Sequence, residues 1–138
     1  MHWSVYALIS AVFAALVAIF GKIGLKDIDS TLATTVRSIV MALFLVGVSF
    51  SLGKFSFLHT FSSKALVFIV LSGVAGALSW LFYFFAIKYG TVSGVVAIDR
   101  TSVVFAFILA VLFLSEVFSW QKALGVALVA FGAILVAL

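Results

Sequence analysis

An acid and a base stand side by side, Asp99 and Arg100, inside a stretch that is otherwise almost wholly apolar, residues 91–116. At about 1.5 Å of rise per helical residue, Asp99 lies about 12 Å in from Thr91. A hydrocarbon core is about 30 Å thick, so the pair falls nearer its middle than its edge. A charge there costs at least about 2.5–3.5 kcal/mol, and the pair is expected to face protein or water rather than lipid. Thr101 and Ser102 follow at once and add two hydroxyls. Successive helical residues point about 100° apart, so Asp99 and Arg100 cannot share a face. Asp99 aligns with Ser102, Ala106 and Ala110, a small-residue stripe of the kind that marks close helix contact. Arg100 aligns with Val96, Val104, Phe107 and Val111.

Two other apolar stretches carry candidates. Arg37 lies two turns inside the second, beside Thr34 and Ser38. It either snorkels to the headgroups or pairs with Asp99, which is level with it when depth is counted from the same side of the membrane. In the third stretch, Ser72, Gly76, Ser79 and Tyr83 share one face, and Gly73, Trp80 and Phe84 the next. Trp80 and Tyr83 fall deeper than an interfacial aromatic belt requires. Aromatic rings beside small polar groups suit the floor of a ligand pocket; plain packing is the simpler use for them. Glu116, at the end of the fourth stretch, is expected to cap or pair near the start of the fifth, with Lys122.

The elements that must hold these residues follow from composition. The chain has 138 residues, 67% hydrophobic and 9% charged, against about 25% charged in soluble domains. Apolar runs of about 20 residues recur, so the expected class is all-α and integral to a membrane, with five transmembrane helices. Their expected bounds are about 3–20, 31–52, 64–89, 92–114 and 120–138, one domain over 1–138. Ala7, Ala11, Ala14, Ala18 and Gly21 form a packing stripe on the first. The first span is expected to be retained rather than cleaved, because residues 1–6 hold no Lys or Arg. Residues 53–63 read as an interfacial loop, rich in Phe. There is no Cys and no Pro. No disulfide, thiolate metal site or Cys nucleophile is therefore available, and any helix break must rest on Gly or Ser. No metal or cofactor site is apparent, and no Ser–His arrangement in a span suggests an enzyme. The net charge is +4, but Lys and Arg sit mostly at the ends of apolar runs. They read as membrane anchors, not as a nucleic-acid patch.

An odd number of spans puts the termini on opposite sides. Lys22, Lys26 and Lys88 fall on one side, and Lys54, Lys64 and Lys122 on the other. Loop charge therefore gives almost no preference for orientation. Either a weaker bias fixes one orientation, or the chain inserts both ways. In the second case two opposite copies can pair about an axis in the membrane plane.

The runs GVAGALSWLFYFFAIKYG (73–90), VVAIDRTSVVF (95–105), FLSE (113–116) and KALGVALVAFGAIL (122–135) resemble an EamA unit of the drug/metabolite transporter superfamily. FGKIGLKDI and TTVRSIV near the start fit the same pattern. Most such transporters are two fused units. This chain holds one and is similar to the short, single-unit branch. With the balanced lysines, the expected fold is completed to ten helices by an inverted dimer. The resemblance implies a central cavity lined by spans 1, 3 and 4 of each unit, with spans 2 and 5 more peripheral. It implies secondary transport of small organic solutes in a bacterial or archaeal inner membrane, with lipid and a second copy, or a second short chain, as partners. On this reading Trp80 and Tyr83 pack on the solute. Asp99 and Arg100 supply charge, Ser79, Thr101 and Ser102 hydrogen bonds, and Arg37 balances Asp99. Asp99 could also carry a proton. The alternative is a non-transporting scaffold or accessory subunit of a larger membrane complex.

Overall fold

Five helices of the computed structural model, which describes residues 2–138, are long and apolar enough to cross a membrane. α1 is Trp3–Gly24, α2 Ser30–Ser51 and α3 Ser63–Tyr89. The fourth span, Val92–Phe113, is two helices, α4 (Val92–Asp99) and α5 (Ser102–Phe113). α6 is Trp120–Ala137. No strand occurs among the described residues. At about 1.5 Å per residue, the 22 residues of α1 reach about 33 Å. Large apolar side chains point outward: Phe44 is 70% exposed and Leu112 69%. Among the described residues, the buried apolar set is Ala18, Leu25, Phe84, Ile87 and Ala133. Lipid, not water, is the solvent matched to such a surface, and the protein is an integral, multi-pass membrane protein.

α1 runs a full turn past its expected end near residue 20. Gly21 does not stop it, because in lipid the helix keeps its own backbone bonds and glycine serves packing instead. Residues 54–60, expected as loop, form a short 3-10 helix entered through Gly53 at φ +64°.

The chain divides into two compact units. One is Ile23–Lys88. Asp29 caps α2: its Oδ1 accepts the Leu32 N–H at 3.0 Å. The hydroxyls of Thr34, Thr35, Ser38 and Ser51 each donate to the carbonyl four residues back, at 2.7 to 2.9 Å. These bonds satisfy in lipid groups that water would otherwise solvate. Lys88 Nζ donates to the Ile28 carbonyl at 2.9 Å, tying the end of α3 to the segment before α2.

The other unit joins α1 as far as Lys22 to Tyr89–Leu138. Lys22 Nζ donates to the Gly90 carbonyl at 2.9 Å. α4 and α6 pack closely, and Gly94 is the point of approach. A Cβ added there would lie 3.7 Å from the Ala137 Cα and 2.9 Å from Thr91 Oγ1. That same oxygen caps α4 by accepting the Gly94 N–H at 3.3 Å. After α5 the chain turns at Ser115, φ +54°, where the Ala110 carbonyl accepts both the Leu114 and Glu116 N–H groups. Glu116 and Lys122 meet at 3.5 Å, as their spacing suggested. Both are half-exposed, so the pair contributes at most about 1 kcal/mol.

Two predictions follow from the caps. Gly94→Ala and Thr91→Ala should each lower stability by about 1 kcal/mol, and the double variant by no more than either, because both remove one cap. Thermal unfolding in detergent measures this; additive losses would uncouple the two sites. Asp29 sits outside the spans, and its bond to the Leu32 N–H holds its carboxyl below the usual carboxylate range. The stabilisation is present above the unfolded pKa and fades as pH falls through the lower folded value. Asp29→Asn should flatten this acid dependence of unfolding below about pH 4, and a curve unchanged by that variant would refute the cap's part in it.

Candidate solute-binding site

The fourth span was expected to be one continuous helix, and it is not. Arg100 shares its N–H between the Val96 and Ala97 carbonyls, at 3.2 and 3.1 Å. Thr101, Val103 and Val104 reach back three residues rather than four, to Ile98, Arg100 and Thr101, at 2.9, 3.2 and 2.9 Å. The Thr101 hydroxyl adds a bond to the Ile98 carbonyl at 2.7 Å. Neither Pro nor Gly is involved. A run of Asp, Thr and Ser offers short polar side chains that compete with the backbone for its own partners, and Thr101 does so here.

The tightened turn changes which residues face inward. A 3-10 residue turns about 120°, an α residue about 100°. α5 is thereby rotated relative to α4. Thr101, Val104 and Phe107 become the half-buried line, while Ser102 and Ala106 are exposed. The inward stripe expected from Asp99, Ser102, Ala106 and Ala110 is thus broken at the turn. Asp99 itself is half-buried and Arg100 exposed. Beside α4 runs a groove of about 660 Å³, lined by Ala15, Ala18 and Ile19 of α1, by Ser93 and Val96 of α4, and by Val136 of α6. Its wall is almost wholly apolar.

The second group lies in the unit of α2 and α3. The Arg37 guanidinium lies over the Trp80 ring, 3.7 Å from its centroid, and 5.5 Å from that of Phe84. Trp80 meets Tyr83 edge-on at 5.3 Å and Phe84 at 6.2 Å. Phe84 is buried, and Trp80 and Tyr83 are half-buried. Arg37 Nη1 is shut off from solvent and has no hydrogen-bond partner among the described residues. Ser79, expected beside this face, is exposed. The pairing of Arg37 with Trp80 was not anticipated, although the signal for it exists. α2 begins and α3 ends on one side of the membrane. Arg37 lies about 10 Å from Ser30, and Trp80 about 13 Å from Tyr89, so the two are nearly level.

What these groups offer is positive charge with in-plane donors, aromatic faces, a half-buried carboxyl and a tightened backbone turn, all within spans. A multi-pass helical protein with ionisable groups and a discontinuous helix at mid-membrane depth has the general build of a solute transporter. The chain matches the EamA-like transporter family over residues 1–138 and belongs to it. It is also similar to a protein of Sinorhizobium sp described as "Uncharacterized transporter in cobO 3'region". The two are 38% identical over 135 residues, covering 98% of this chain and 96% of that relative. No solved structure matches. Membership places the protein among transporters of the drug/metabolite superfamily.

Bonds that reach back three residues have poorer geometry than those of a full α-helix. Amide hydrogens of Thr101–Val104 should therefore exchange at least about tenfold faster than those of mid-α6 residues at matched depth. Equal protection would show the turn to be as firmly held as a regular helix.

Proposed function

We propose that the protein is a secondary transporter of small organic solutes, whether metabolites, amino acids or amphipathic compounds. It works by alternating access through a central cavity formed where two copies meet in opposite orientations. One observation carries this reading: Arg100 is exposed at the broken turn, about 12 Å into the fourth span. A guanidinium left against lipid at that depth is costly, which supports a water-filled space or a second copy beside it. The exposure of Ser102 on the same turn and of Ser79 on α3 supports the same reading. Asp99 and Arg100 then present charge to the solute, Trp80 and Tyr83 pack on it, and Ser79, Thr101 and Ser102 hydrogen-bond to it. The break supports alternating access, because a turn with weaker backbone bonds adjusts more readily than a continuous helix.

Purified protein in liposomes tests this directly. Uptake of solutes from a mixed metabolite pool should depend on the protein, and Asp99→Asn should lower the initial rate at least about tenfold. Flux that ignores this change would remove Asp99 from the pathway, and no flux at all would favour an accessory role. Reporters fused to the C-terminus should be active on both sides of the membrane; activity on one side alone would exclude the inverted homodimer.

A further inference from the structure

We infer that Arg37, laid over Trp80, is the receptor for an oxyanion on the solute, so that the transported compounds are carboxylates, or other planar oxyanions, with an apolar or aromatic body. This rests on the transporter reading and narrows its substrate class. It also gives Arg37 a different partner from the charge balance with Asp99 that depth alone suggested.

The argument begins with what the cation–π contact uses. A guanidinium stacked on a ring at 3.7 Å engages one of its faces. Its N–H donors lie in its own plane and are not used by the stack. Such a contact, even when desolvated, is worth less than the cost of holding a cation within a span, so the ring alone does not offset the charge. Nη1 has no hydrogen-bond partner among the described residues and is closed to water. In its own unit, the acid nearest in sequence, Asp29, is engaged in capping α2. A planar fork of donors, fixed in orientation by the ring beneath it, matches a carboxylate in two parallel bonds. Lysine has no such fork.

The rings complete the chemistry. Trp80, Tyr83 and Phe84 form an edge-to-face cluster, a flat apolar wall beside the cation. A solute with a carboxylate at one end and an aliphatic or aromatic body at the other satisfies both. Because Nη1 is sealed, the oxyanion can reach it only when α2 and α3 move apart around it. Alternating access provides for such a movement.

The test uses the full chain with Trp3→Phe and Trp120→Phe, so that Trp80 is the sole tryptophan and reports from the site. The probes are benzoate, indole-3-acetate and phenylalanine, each against its own amide. At least one carboxylate should quench or shift Trp80 fluorescence at least about tenfold more tightly than its amide, with Arg37 in place. Arg37→Lys, which keeps the charge and loses the fork, should weaken that carboxylate at least about tenfold and leave the amide unchanged. The inference is overturned if no carboxylate perturbs Trp80, if the amides bind as well, or if Arg37→Lys binds as well. The acid–amide comparison needs no change at Arg37 and so stands even where that variant fails to fold. Counterflow of the labelled carboxylate separates the two claims. Binding without flux would leave the oxyanion site and remove transport. Flux of the amides, undiminished by Arg37→Lys, would leave transport and remove the oxyanion site.

Discussion

The interior of a bilayer holds no water to receive a stranded N–H, hydroxyl or charge, and the polar contacts within the spans answer that constraint. An unsatisfied group there costs several kcal/mol. Thr34, Thr35, Ser38 and Ser51 return their hydroxyls to carbonyls of α2 itself. Lys22 and Lys88 place their ammonium groups on backbone carbonyls near helix ends. None of these contacts needs a ligand to make sense. They set the background against which the exceptions stand out.

Apart from the buried Ser30 hydroxyl at the start of α2, which has no partner among the described residues, the exceptions fall at the two places where the chain keeps charge at depth. At the turn between α4 and α5, regular bonds are exchanged for three-residue ones, and Arg100 faces outward. At Arg37 the cation rests on an aromatic face, and one nitrogen has nothing to bond to among the described residues. A membrane helix has no stability reason to adopt either arrangement, since Leu or Ala at both positions would remove the cost outright. Polar groups that are expensive and incompletely satisfied are understandable where an outside partner completes them.

Much of this was legible in the residues, and what was not has definite causes. Apolar run length fixes the five spans, because a bilayer sets a length that side-chain detail hardly alters. The family could be read from the order and spacing of the runs around Trp80, Asp99 and Glu116. Helical facing was the weak point. The wheel through Asp99 assumed a constant 100° per residue, and a few 3-10 residues were enough to bring Thr101 inward and turn Ser102 out. The 73–90 run was likewise assigned two faces of equal standing, and packing chose Trp80, Tyr83 and Phe84 over Ser79. Depth left Arg37 either snorkelling to the headgroups or level with Asp99, and neither reading considered that Trp is also a partner for a guanidinium. Contact distance gives that stack.

The same stack bears on orientation. Held over Trp80, Arg37 does not extend to the headgroups and adds to neither side of the membrane. The lysines remain evenly divided between the two sides. Tethering Lys22 and Lys88 does not change that balance, because loop charge acts as each span is inserted, before such contacts exist. A chain balanced in this way has no electrostatic reason to favour one orientation, so the proposed inverted pair needs no added signal to arise. It would also cover what a lone copy leaves bare, since a second chain of opposite sense can bring polar surface, or an aqueous gap, against Arg100. Near-zero charge bias and an uncovered mid-span arginine would each be a defect in a protein that works alone. Together they are the properties that a half-transporter completed by its own reversed copy would need.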